Sequence, residues 1–354
     1  MSGRNVRNAD IMSLLFSYIL PYSTWIFKGR HNVASVNTQA QKSLAMNKRP
    51  NNGRGLNGPL LFWVLLAPSM LLFIGIIFYP LFNTILLTFQ SFNLADPLDN
   101  AWIGFKNYAE VLTNPTFNFW GSAGFSVLFS VSTTVAAFVI GFAFALLLNQ
   151  PLRFQTLWRG LALVPWVIPY VVVAYLFFYM FNSQYGIVNN MLTSINLFGW
   201  HPVPHPIAWF GGTGNAAIIA VIFASIWSKF PFFTLMLLAG LQTLQQELLD
   251  AATVDGAGVW ARFWYVIVPS LRGIIVVVTT LQLIWSLNEF TIIYSMTQGG
   301  PGNATNNIII NIYRTGFMNQ DLSIAATIGT IWLIILLVFT NFYIRIMEGK
   351  AVTQ

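Results

Sequence analysis

Six nearly charge-free apolar runs punctuate the chain, at approximately 60–88, 122–149, 159–182, 215–240, 271–296 and 322–344. A helix needs about 20 apolar residues to cross a bilayer, and each run is long enough. The pattern predicts an all-α membrane protein with six spans. A further apolar run, Ile11–Phe27, is shorter and is interrupted by Ser13, Ser17, Pro21, Ser23 and Thr24. An extra span, an interfacial helix and a membrane-adjacent tail all remain open for it. No small-residue cleavage site follows, so it does not read as a signal peptide. Residues 28–58 are rich in Asn, Lys and Arg and read as a flexible cytoplasmic linker. The expected organisation is therefore an extension over 1–58, a membrane domain over 59–346 and a short tail over 347–354.

Between the fourth and fifth runs lies a polar island, residues 241–269. Leu244, Leu248 and Ala251/Ala252 recur at helical spacing and form one apolar face. Glu247, Asp250 and Asp255 lie off or beside it. Gly256 then interrupts the helix, where a residue without Cβ takes a sharp turn. A second short helical run reaches Pro269, a boundary before the next span. The expectation is a helix–turn–helix displayed at a membrane face, and an amphipathic helix so placed needs a groove on a partner.

Composition agrees with the span pattern: 56% of residues are hydrophobic and only 8% charged, where soluble domains carry about 25% charged residues. There is no cysteine, which excludes disulfide and cysteine–zinc frameworks. The net charge of +7 reads as topology rather than as a nucleic-acid footprint. One set of connecting segments holds Arg153, Arg159, Arg262, Arg272, Arg345 and Lys350, and the N-terminal segment adds eight more basic residues. The opposite loops hold only Lys106 and Arg314. Lysine and arginine concentrate on the cytoplasmic side. Both ends of the six-span core, and the 241–269 island, are thus expected in the cytoplasm.

The island also resembles a known motif. Asp250-Ala251-Ala252, Asp255-Gly256-Ala257, Phe263 and Pro269 match the EAA loop of permease subunits of bacterial binding-protein-dependent ABC importers. The maltose-type sugar permease family fits best, and the likeness runs from about residue 59 to 346. Asp250 departs from it, standing where the family has glutamate, so either Asp250 or Glu247 is left to make the main ionic contact. Further likenesses are the outer-loop run Trp102–Tyr108, the turn Gly299-Gly300-Pro301, and Tyr313 followed four residues later by Phe317. The resemblance implies one permease half of an ATP-driven carbohydrate importer in the cytoplasmic membrane of a prokaryote. It implies a second related permease subunit, two cytoplasmic ATPase subunits and an external substrate-binding protein. ATP and magnesium would sit on the ATPase subunits, with no cofactor and no catalysis on this chain. Residues Leu244, Glu247, Leu248, Asp250, Ala251, Ala252, Asp255 and Gly256 would form the ATPase-coupling element. In keeping with this, the sequence has no Gly-x-x-x-x-Gly-Lys-Ser/Thr loop for nucleotide phosphates.

The fifth run carries Gln282, Trp285, Ser286 and Glu289 at i, i+3, i+4 and i+7, with Asn288 adjacent. Helical periodicity puts these on one face. Polar groups are costly in lipid, so the face is expected to look into the bundle or a wet cavity. Substrate contact and interhelical hydrogen bonding are both open readings. Glu289 is also the residue a secondary, ion-coupled transporter would use. Lys229, beside Trp227 and before Pro231, is read as snorkelling to an interface or pairing with a neighbouring subunit. Pro165 and Pro169 predict a kink in the third span. Ser122, Ser126, Ser130, Thr134, Gly121 and Gly141 predict a small-residue packing seam on the second. His201 and His205 are separated by prolines that prevent a helix, and no third ligand is nearby, so they do not read as a metal pair.

Overall fold

The computed structural model describes residues 58–195, 203 and 205–349. The possible helix over 11–27, His201 and the last five residues lie outside the described part. Two compact units divide the chain, Met1–Met70 and Leu71–Gln354. Of the first, the described part is a helix that opens at Gly58 and tolerates Pro68 inside it.

Among the described residues, five helices are long and apolar enough to cross a membrane: Leu61–Leu87, Pro115–Leu148, Asn215–Leu241, Arg272–Thr297 and Leu322–Tyr343. The helices Gln155–Val167 and Tyr170–Met180, which together read as the third span, meet at an 89° bend. The fold is the six-span helical bundle that the apolar pattern predicts. The third span is broken rather than gently kinked, and the reason is local. Pro169 disfavours helical geometry in the residue before it, and Ile168 is extended at φ −72, ψ 130. Pro165, by contrast, is accommodated within its helix.

The second and fourth spans are the packed centre. Lipid tails are as apolar as leucine, so helices associate in a membrane by close packing more than by water exclusion. At Gly141 the two helices approach closely. A Cβ there would lie 2.5 Å from Phe233 Cβ and 2.7 Å from the Phe230 carbonyl oxygen. The hydroxyl seam on the second span does a second job. Ser122 Oγ accepts from the amides of Asn306 and Asn311, each at 3.2 Å. Ser126 Oγ accepts from the Ile308 backbone N–H at 3.0 Å. The seam thus docks the loop that follows the fifth span.

After the first span, strands Gln90–Asn93 and Asp96–Trp102 form an antiparallel hairpin. Asn107 ties it to the end of the first span by donating to the Thr88 and Gln90 carbonyls at 2.9 and 2.8 Å. The hairpin also reaches the start of the sixth span. Leu94 N–H donates to the Gln320 carbonyl at 2.8 Å, and Phe92 N–H donates to Ser323 Oγ at 2.7 Å.

Candidate functional site

Two regions carry the candidate residues: the loop between the fourth and fifth spans, and the level at which the third and fifth spans break.

In the loop, Leu244 is half-buried against the apolar cluster at the base of the fourth and fifth spans. The helix that follows is Gln246–Val254, with Glu247 in its first turn, where a carboxylate favours the helix dipole. Its end is a Schellman motif. Ala257 N–H donates to the Ala252 carbonyl at 2.9 Å, and Gly256 N–H donates to the Thr253 carbonyl at 3.1 Å. That geometry needs a left-handed residue after the cap, and Gly256 supplies it at φ +80. A short helix, Val259–Arg262, then returns, and Arg262 Nη1 donates to Thr253 Oγ1 at 3.0 Å, bracing the two arms.

The loop helix buries none of its residues. Leu248 is half exposed, and Val254, Val259, Trp260 and Tyr265 are 88%, 72%, 75% and 83% exposed. Glu247, Asp250 and Asp255 are all exposed. Asp250 accepts from Gln246 Nε2 one turn earlier at 3.0 Å; Glu247 makes no side-chain hydrogen bond among the described residues. The surface is therefore apolar and acidic, and among the described residues no basic side chain is recorded against Glu247, Asp250 or Asp255.

At mid-span the fifth helix stops at Leu287 and restarts at Thr291. Asn288 leaves helical geometry, at φ −104 and ψ 18. Glu289 lies in that break and meets Lys229 of the fourth span, with Nζ 2.9 Å from Oε2 and the two side chains 3% and 6% exposed. Lys229 also donates to Ser286 Oγ at 3.3 Å, and Gln282 Nε2 donates to the same oxygen at 3.0 Å. The Phe129 ring lies 5.2 Å from the ammonium. Glu289 Oε1 accepts from Ile292 N–H at 3.2 Å, capping the restarted helix, and Asn307 Nδ2 donates to the Glu289 carbonyl.

Lys229 thus neither snorkels nor waits for a neighbouring subunit. Its partner is in its own chain. The sequence signal was available: two lone opposite charges inside adjacent spans are each expensive unless paired. The polar face also divides. Gln282, Ser286 and Glu289 are buried, whereas Trp285 is 49% exposed and Asn288 is exposed. Helical rotation explains it, since i+3 falls short of a full turn and i+4 passes it. Position 285 therefore sits on the flank of the stripe formed by 282, 286 and 289. On that flank Trp285 packs on Phe232 at 5.2 Å between ring centres, and Trp166 approaches the other way at 6.5 Å. Trp166 is itself 41% exposed. The aromatic row joins the third, fourth and fifth spans near both breaks, and Trp166 and Phe232 are the members the sequence reading missed. Asn306, Asn307 and Asn311, crowded just after the Gly-Gly-Pro turn, were missed as well.

Among the described residues no cluster of His, Cys, Asp or Glu is dense enough to hold a metal ion. An apolar cavity of about 510 Å³, lined by residues including Phe144, Trp158, Leu161 and Phe230, lies elsewhere and has little polar surface to orient a hydroxylated ligand.

Residues 137–351 match the family described as the binding-protein-dependent transport system inner membrane component. The chain belongs to this family. Members are transport permease subunits rather than enzymes, and the chain is a multi-pass permease subunit of the ABC importer type. It is 34% identical over 295 residues to the sulfoquinovosyl glycerol transport system permease of Agrobacterium fabrum, covering 83% of this chain and 92% of the relative. It is 34% identical to the trehalose/maltose transport system permease of Thermococcus litoralis, over 70% of this chain and 80% of the relative. It is 30% identical to the sn-glycerol-3-phosphate permease of Rhizobium meliloti, over 82% and 96%. In fold it resembles a chain of a bacterial alginate ABC importer, solved with an oligosaccharide-bound periplasmic protein, at TM-score 0.67 and 20% identity over 83% of this chain and 96% of that one.

Proposed function

We propose that this permease carries a carbohydrate or a close polyol relative across the cytoplasmic membrane by alternating access. It does so beside a second permease subunit, with two cytoplasmic ATPase subunits and an external binding protein. The observation that carries this reading is the exposed, acidic and apolar helix–turn–helix between the fourth and fifth spans. Its relatives' substrates point to small polyhydroxylated molecules.

The helix Gln246–Val254 enters an ATPase cleft with Leu248 inward and Glu247 or Asp250 against a basic group. Glu247 is the freer carboxylate, since Asp250 is engaged by Gln246. ATP and magnesium sit on the ATPase subunits. Closure of the ATPase pair favours one orientation of the docked loop, and the spans above follow. On the flank of the fifth span, Trp285 offers a ring plane for the C–H face of a sugar and Asn288 offers an amide for hydroxyls. Gln282, Ser286 and Glu289 hold the break from behind. The ion-coupled alternative loses its candidate group, because Glu289 is neutralised by Lys229 at 2.9 Å.

Co-purification of the tagged chain from mild detergent tests the reading. An ATPase and a second permease are expected with it, and both ATPase chains are lost when Glu247 and Asp250 are charge-reversed together. A chain that purifies alone and drives ion-dependent uptake in liposomes would overturn it.

A further inference from the structure

The fourth and fifth spans form an antiparallel hairpin whose inner end is the cytoplasmic loop. Contacts between them run in order along the pair. At the loop end Gly240 is seated against Leu271 and Ile274; a Cβ there would meet their methyls at 2.8 and 2.6 Å. Leu237, Leu238, Leu241, Leu271 and Val278 share one buried cluster around and beyond that seat. Phe232 meets Trp285 next. At the far end Lys229 meets Glu289 in the break. The helix Arg272–Leu287 has 16 residues, about 24 Å at the usual rise per residue.

A rod transmits displacement only if its far end is fixed to what it must move. Apolar packing in lipid lets helices slide, because sliding exchanges one set of apolar contacts for another. A buried charge pair does not exchange, since separating it leaves two uncompensated charges in a low-dielectric interior. The Glu289 side chain caps the next helix and its carbonyl is held by Asn307 of the outer loop. The pair therefore joins the hairpin to the break and, through it, to the outer side.

We infer that Lys229 is a positioning residue for transport: its ion pair with Glu289 clamps the distal end of the loop-bearing hairpin, so that displacement of the cytoplasmic loop reaches the break that presents Trp285 and Asn288. This rests on the coupling reading above. The pair does not touch substrate and does not contribute to ATPase docking.

The chain has no cysteine, which permits a single reporter. Thr291→Cys, at the start of the restarted helix and outside the residues assigned to substrate, is introduced, and its modification by a membrane-impermeant maleimide is followed by mass in the assembled transporter, with and without ATP and orthovanadate. In the parent the rate changes on ATP addition. With Lys229→Met the ATPase chains still co-purify and hydrolyse ATP, but the reporter no longer responds. Lys229→Arg keeps the response, and exchanging the charges with Lys229→Glu and Glu289→Lys restores part of it. Should Lys229→Met fail to accumulate, Glu289→Gln removes the attraction at nearly unchanged shape and gives the same loss. A pair that merely stabilises the bundle would lower the thermal midpoint and leave the surviving protein's response intact. That outcome overturns the inference, as does a parent reporter that ignores ATP with ATPase chains bound. A parent that recruits no ATPase is seen before any variant is made, and overturns the coupling reading along with the inference.

Discussion

Gly256 is constrained by its backbone alone. Its φ is +80, yet a Cβ there would meet nothing within 4 Å. A β-branched side chain in that region costs about 1–2 kcal/mol from local clash, whereas asparagine tolerates it. Gly256→Val is expected to abolish most ATP-driven uptake in proteoliposomes while membrane levels stay normal, and Gly256→Asn to fall between Val and the parent. Normal uptake by the valine variant would remove the turn from the mechanism. Ser126 is constrained the other way, by what it must bond. Its hydroxyl donates to the Ser122 carbonyl at 2.8 Å and receives Ile308 N–H at 3.0 Å. Ser126→Ala leaves that buried N–H without a partner, at about 1–3 kcal/mol. A lowered melting temperature in detergent is expected, and an unchanged one would mean that another acceptor takes over. The turn at Gly256 was readable because helix punctuation is local. The partner of Lys229 called for a different signal, the cost of two lone opposite charges in adjacent spans, because its mate lies on another span and no local pattern links them.

At the scale of elements, apolar run length was enough to find the spans, since bilayer thickness sets that length. What run length does not contain is direction. The third span turns through 89° at Pro169, and packing of its second half against the restarted fifth helix sets where it goes. The polar stripe of the fifth span was legible as a stripe. Its division into a buried edge and an exposed flank depends on rotation by a few tens of degrees, which the fourth span fixes. Contact between the second and fourth spans depends on Gly141. Gly141→Leu would force the helices apart against the Phe230 backbone oxygen, which cannot rotate away. Overpacking of this kind costs about 1–3 kcal/mol. The expected result is lower yield and a lower melting temperature, with Gly141→Ala intermediate; a leucine variant as stable as the parent would show that the seam is not tight.

For the whole molecule, the lysine and arginine distribution predicts topology that the helices alone do not. Single cysteines test it. Asp255→Cys is expected to resist impermeant thiol reagents in intact cells and to react once they are permeabilised. Glu110→Cys is expected to react in both. The reverse pattern would invert the bundle and refute cytoplasmic coupling. The hairpin Gln90–Trp102 adds a dimension of time. Phe92 and the Ser323 hydroxyl that receives its N–H are 231 residues apart in sequence, and the edge strand also bridges to Asp321. A ribosome adding about 5–20 residues per second needs roughly 10–50 s to cover that distance. During that interval the hairpin has its edge unpaired. Closure awaits insertion of the last span, so a nascent chain arrested before Asp321 presents protease with an open strand that the finished protein withholds.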